Sequence, residues 1–256
     1  MKVLIDDHIQ DYSPEQIAQW LDELPEWRRQ QALAFKHDAG QRQSLLAYRL
    51  LCQGLREEYG IVEPPTFQYG EHGKPYIEID SEKREVRNEM RNEADSEKEQ
   101  GARGKRNEID SSILRSGLPL ESSKNSQFST FRSGLPLGSS KNFQLSTFNS
   151  PHFSLSHCRE AVACAIADKP CGIDIESAGR KVSDSLIRYS MNEGEQAVIR
   201  ESDDPQRTFL RLWTQKEALL KLKGTGIRDN MRDVLTDNAY TIEIRENERY
   251  ILSVAW

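Results

Sequence analysis

Residues 171–176 read Cys171-Gly172-Ile173-Asp174-Ile175-Glu176, an alternation of apolar and acidic side chains. In a strand, alternate side chains share a face. Ile173 and Ile175 would then enter a core, while Asp174 and Glu176 point the other way, side by side. Two parallel carboxylates repel unless a cation or a proton lies between them, which makes the pair half of a site for a hard metal ion. An ordinary strand with its acids in solvent has the same pattern, so the alternation alone leaves both readings open.

The neighbouring elements set the fold class. Upstream, Ala161-Val162-Ala163-Cys164-Ala165-Ile166-Ala167 reads as a buried strand, although its alanines fit a helix almost as well. Downstream, helices are predicted over residues 184–200 and 206–223, and closing strands over 241–244 and 250–255. Near the start, Val3-Leu4-Ile5 is a short strand, and Ser13 with Pro14 has the N-cap and first-turn chemistry of a helix. Leu45, Tyr48, Cys52, Leu55 and Tyr59 recur at three-and-four spacing, so residues 41–59 form a helix with one buried face that Gly60 closes. Strands at about 66–69 and 76–79 flank the turn Gly70-Glu71-His72-Gly73-Lys74-Pro75. Helices and strands mix without regular βαβ alternation, and the class is α+β.

Residues 81–110 are mostly Glu, Arg, Lys and Asn, too few of them apolar to offset the entropy of ordering. Behind them a segment at 114–131 is echoed at 131–148, each copy carrying Arg-Ser-Gly-Leu-Pro-Leu. Two copies are fewer than the three or so a solenoid needs. Residues 81–148 are therefore expected to be a flexible surface insertion, with a docking element built on the repeated Leu-Pro-Leu as the alternative.

The chain's 256 residues allow one large domain or two small ones. A net charge of −6 excludes a global basic field for duplex nucleic acid, while a local basic pocket for a small polyanion stays possible. The four cysteines make no C-x-x-C pair and no zinc spacing with the five histidines. Asp6 and Asp7 interrupt the N-terminus too early for a secretory signal, and no apolar run approaches the roughly 20 residues that span a bilayer. A soluble, reduced, cytoplasmic protein without membrane or nucleic-acid partners is expected.

Three further groups have chemistry to offer. Glu217 and Lys221, four apart in a predicted helix, share a face in the favourable acid-before-base order, as an ordinary surface ion pair also would. Lys74 puts a cation on a tight turn, and Ser156 with His157 puts a hydroxyl beside an imidazole. Neighbours in sequence are not a catalytic dyad, since nucleophile and base normally meet from separate segments.

Taken in order, Gly-Lys-Pro at 73–75, Phe-Ser-Leu-Ser-His at 153–157, Gly-Ile-Asp-Ile-Glu at 172–176 and Trp-x-x-Lys-Glu-Ala-x-x-Lys at 213–221 resemble the 4′-phosphopantetheinyl transferases. The likeness is to the two-subdomain monomeric type and runs from about Leu24 to the C-terminus, without the insertion. It implies two similar pseudo-symmetric α/β subdomains, residues 1–170 and 171–256, with the active site between them. It also implies transfer of the phosphopantetheine arm of coenzyme A to a serine of an apo acyl or peptidyl carrier protein, by a monomer that uses Mg²⁺. Matching positions make Asp174, Glu176 and Glu217 the metal ligands and Glu217 the general base. Lys216 and Lys221 fall near the pyrophosphate. Arg42, Lys74, Ser156 and His157 match positions that grip the 3′-phosphoadenosine end, with Arg28 and Arg29 as looser candidates.

Overall fold

The computed structural model describes residues 1–70, 72–77, 150–226, 231–236 and 239–256. The insertion expected over 81–148 lies outside the described residues. So do the last two residues of the strand expected at 76–79.

Two three-stranded antiparallel sheets carry the fold, which is mixed α+β. In the first, β1 (Lys2–Asp6), β5 (Val162–Ala167) and β4 (His152–His157) lie in the order β1-β5-β4. The ambiguous alanine-rich stretch is therefore a strand, central in its sheet and buried along its whole length. In the second, β6 (Gly172–Ser177), β8 (Tyr250–Ala255) and β7 (Ile242–Glu246) lie in the order β6-β8-β7. A hairpin of β2 (Phe67–Tyr69) and β3 (Pro75–Ile77) forms a two-stranded sheet of its own and packs Phe67 against Phe153 of β4.

Ile173 and Ile175 lie in one core with Leu252 and Val254 of β8 and with Ala163 and Ala165 of β5. The opposite face of β6 carries Gly172, Asp174 and Glu176, as the period of two requires. Partners across an antiparallel pair share a face, so Ser253, opposite Asp174, joins them. β6 is the edge of its sheet, and a buried edge needs partners for its backbone groups. Ser154 and Ser156 of β4 supply them: their Oγ atoms accept from the Ile173 and Ile175 N–H groups at 3.1 and 3.2 Å.

Helix α1 (Pro14–Asp22) begins with a capping box between Ser13 and Gln16, and α2 (Glu26–Leu33) follows. Helix α3 (Asp38–Tyr59) covers the first sheet and ends on Gly60 in the left-handed conformation. Of the face expected from spacing, Leu45, Tyr48 and Leu55 are buried and Cys52 and Tyr59 half-buried. Leu46, Ala47, Leu50, Leu51 and Gly54 join it because the helix lies on all three strands of the sheet.

The single helix expected over 184–200 is two helices, α4 (Asp184–Ser190) and α5 (Glu193–Glu201). Asn192 starts the second with a capping box, its side chain accepting from the Glu195 N–H while Glu195 reaches back to the Asn192 N–H. Helix α6 (Pro205–Lys223) is capped by Asp204 and closed by Gly224, and it lies against β6 and β8. A short 3₁₀ turn, Met231–Thr236, packs beside it. All four cysteines are unpaired, and among the described residues no helix is long and apolar enough to cross a membrane.

Candidate active site

Helix α6 covers the acidic face of β6, burying Asp174 and leaving Glu176 half-buried. Gly172 makes the cover possible: a Cβ there would overlap the Ala218 carbonyl oxygen and stand 2.5 Å from the Leu222 nitrogen. The close approach brings Glu217 and Lys221 of α6 over Asp174 and Glu176. Asp174 is 6% exposed and Glu217 8%.

Asp174 Oδ1 accepts from Lys221 Nζ at 2.8 Å and from Ser156 Oγ at 2.9 Å. Lys221 Nζ also donates to the Ile173 carbonyl at 3.1 Å. Glu176 pairs with Arg180, whose guanidinium lies 5.1 Å from the centre of the Trp213 ring. Two buried carboxylate oxygens, Asp174 Oδ2 and Glu217 Oε1, have no hydrogen-bond partner.

Electrostatics register the crowding. Burial first, then the Asp174 charge, raises the Glu217 carboxyl to about 7, with Lys221 opposing and Glu176 adding to the rise. Glu176 is raised too, by burial and by Asp174, while Arg180 opposes. His157 is exposed at the end of β4, yet the protein mass around it and the Lys221 ammonium hold its imidazole below the ordinary value. A site that protonates a carboxyl near neutrality is short of positive charge.

The unpartnered oxygens suit a hard divalent cation, which takes oxygen ligands and relieves the same repulsion. The three carboxylates are not gathered into a ready cage, however. Among the described residues no group of three or more His, Cys, Asp or Glu side chains is arranged to hold a metal ion. Lys221 on Asp174 and Arg180 on Glu176 supply the nearby positive charge instead. Beside them is a cleft of about 360 Å³ lined by Cys158, Arg159, Glu160, Glu176, Ser177, Gly179 and Arg180.

Residues 170–253, which hold both β6 and α6, match the model of the 4′-phosphopantetheinyl transferase superfamily. This segment, about a third of the chain, is similar to that superfamily. Over 79 residues the chain is 38% identical to the 4′-phosphopantetheinyl transferase psf-1 of Bacillus pumilus, covering 30% of this chain and 33% of the relative. Over 78 residues it is 32% identical to the 4′-phosphopantetheinyl transferase Sfp of Bacillus subtilis (strain 168), covering 30% and 34%. With the 4′-phosphopantetheinyl transferase ffp of Bacillus subtilis it shares 27% over 100 residues, covering 38% and 42%. The matches thus span about a third of the length of the first of these relatives.

Several residues that the superfamily resemblance assigns to coenzyme A have other partners here. Lys216 lies away from the carboxylates, fully buried, and its Nζ donates to Glu195 Oε2 at 2.7 Å and to the carbonyls of Ser190, Met231 and Arg232 at 2.9–3.0 Å. Successive helix positions are about 100° apart, which turns residue 216 toward α4, α5 and the 3₁₀ turn when 217 faces β6. The Lys74 ammonium, expected on the 3′-phosphoadenosine end, bonds the carbonyls of Lys221 and Leu222. Ser156 is engaged in orienting Asp174 and in satisfying β6.

Arg42 donates to the Ile9 carbonyl at 2.9 Å, near the mouth of α3. Arg28 is buried, bonded to the Ser44 carbonyl and hydroxyl and set over the Tyr48 ring, so it braces α2 on α3. Arg29 forms a surface pair with Asp22. Arg180 and Ser154 were not foreseen from sequence. Ser154 has the parity of Ser156 in the Phe-Ser-Leu-Ser-His stretch, and Arg180 lies four residues after Glu176, but neither cue outweighs a surface or core reading without the fold.

Proposed function

We propose that this protein transfers the 4′-phosphopantetheine moiety of coenzyme A to a serine of an apo acyl or peptidyl carrier protein, giving holo carrier protein and 3′,5′-ADP. The observation that carries the reading is the pair of buried, unpartnered carboxylate oxygens, Asp174 Oδ2 and Glu217 Oε1, inside the segment that matches the superfamily model.

In the proposed reaction the carrier serine oxygen attacks the β-phosphorus of coenzyme A. An O–P bond forms to serine, and the bond from that phosphorus to the bridging pyrophosphate oxygen breaks. The serine proton passes to the Glu217 carboxylate, whose raised affinity for protons suits a base working near neutrality. Phosphoryl-type transfer rests chiefly on alignment and charge stabilisation. Lys221 can shift its ammonium between Asp174 and an incoming phosphate oxygen, and Arg180 stands at the wall of the adjoining cleft. Asp174, Glu217 and Glu176 would hold Mg²⁺, which when bound neutralises pyrophosphate charge. The proposal includes a monomer of two similar lobes, residues 1–170 and 171–256, with the site between them, working in the cytoplasm.

The test is loading of labelled coenzyme A onto several apo carrier proteins, followed by intact mass with and without magnesium. Mass gain by one phosphopantetheine in the wild type, lost in Asp174→Ala, is the expected result. Undiminished loading by Asp174→Ala would exclude the metal assignment. Release of free phosphopantetheine without any carrier would instead point to a hydrolase.

A further inference from the structure

The last carbonyls of a helix have no partner within it. In α6 the Gly224 N–H reaches the Leu220 carbonyl, and the next two carbonyls, those of Lys221 and Leu222, accept from Lys74 Nζ at 2.6 and 3.0 Å. Lys74 comes from the β2–β3 hairpin, about 150 residues away along the chain. Its ammonium therefore meets the negative end of the helix dipole. Gly224 leaves room for it: φ is +74°, and a Cβ there would stand 3.1 Å from Lys74 Cδ.

Lys221 is held twice. Its carbonyl accepts from Lys74, while its own ammonium crosses to Asp174 Oδ1 and the Ile173 carbonyl on β6. The bonds run in a chain from hairpin to helix end to acidic strand. An ammonium has three N–H donors, so two bonds to carbonyls leave at most one for an anion.

We propose that Lys74 is a positioning residue for the carboxylate site, completing the carboxyl end of α6 and so holding the turn from which Lys221 reaches Asp174. This rests on the transferase reading above. It differs from a grip on the 3′-phosphate of coenzyme A, because a positioning residue acts whether or not that phosphate is present.

The test compares coenzyme A with 3′-dephospho-coenzyme A as donors to one apo carrier, using full-length wild type, Lys74→Met and Lys74→Arg. Lys74→Met is expected to lower kcat by about 10- to 100-fold with both donors, the range for losing hydrogen bonds to a charged group, with KM little changed. Lys74→Arg keeps a cation within reach of both carbonyls and is expected to retain most of kcat. A loss confined to coenzyme A, expressed in KM and absent with the dephospho donor, would overturn the proposal. So would Lys74→Arg falling as far as Lys74→Met.

Amide hydrogen exchange at residues 222–226 reads the helix end without any turnover. Lys74→Met should speed it by about 10-fold or more, and unchanged exchange sinks the proposal whatever the transfer assay gives. Faster exchange in Lys74→Met, together with a wild type that transfers nothing, would leave the helix-end role standing and refute the transferase reading alone.

Discussion

Gly172 lies so close to Ala218 that its missing side chain is the space the helix fills: a Cβ at 172 would overlap the Ala218 carbonyl oxygen. The obstacle is backbone, which cannot swing aside as a side chain does. Gly172→Ala must therefore lift α6 from β6 and separate Glu217 and Lys221 from Asp174. Overpacking a tight core costs about 1–3 kcal/mol and more where backbone must move. Urea denaturation should show a loss at or above the top of that range, and transfer activity should fall out of proportion to the folded fraction.

Glu217 makes stability depend on pH in a definite direction. Its carboxyl titrates near 7 in the folded protein against an ordinary 4.5, so the folded state holds the proton more tightly. Between those values the unfolded state has already released it, and stability falls as pH rises through the window. The span corresponds to at most about 3 kcal/mol. Metal-free protein in chelator should lose unfolding free energy from pH 4.5 to 7, and Glu217→Gln should flatten that slope. An unchanged slope in the variant would assign it to another group.

The alternation at 173–176 was legible because each isoleucine has a core to enter and the period of a strand is two. What lies over the acids was not legible. It depends on Gly172 admitting a helix that arrives some 30 residues later, and a glycine next to a turn looks ordinary in sequence. Lys216 shows the converse: beside Glu217 in a motif, it shares that residue's neighbourhood in sequence but not its helix face. Its cage is built from Ser190, Glu195, Met231 and Arg232, which only tertiary packing assembles. The break between α4 and α5 did have a local signal, since Asn192-x-x-Glu195 has capping-box spacing. Apolar residues on both sides of it, Leu186, Ile187, Val198 and Ile199, made 184–200 read as one amphipathic helix.

Lys216 holds four oxygen acceptors from three elements, and its side chain is wholly buried. Removing the ammonium leaves Glu195 without its buried counter-charge and takes a donor from the carbonyls of Ser190, Met231 and Arg232. Breaking such a pair from one side costs about 3–5 kcal/mol. Lys216→Met should show that loss in chemical denaturation. Its folded fraction, measured at low temperature, should keep a wild-type KM for coenzyme A. A large rise in KM at unchanged stability would return Lys216 to the phosphate-binding group.

Ser156 does two jobs with one hydroxyl: it donates to Asp174 Oδ1 and accepts from the Ile175 N–H. Ser156→Ala removes both bonds and leaves a buried backbone donor unsatisfied, at a cost of about 1–3 kcal/mol. Asp174 would keep Lys221 as its partner but lose the bond that fixes its orientation from the β4 side. If Ser156 serves chiefly to aim Asp174, the variant should lower kcat more than it raises KM for coenzyme A. Ser156→Thr should recover part of the loss, since the hydroxyl is kept. Steady-state kinetics at saturating carrier separate the cases, and a change confined to KM would make the serine a direct contact of the donor instead.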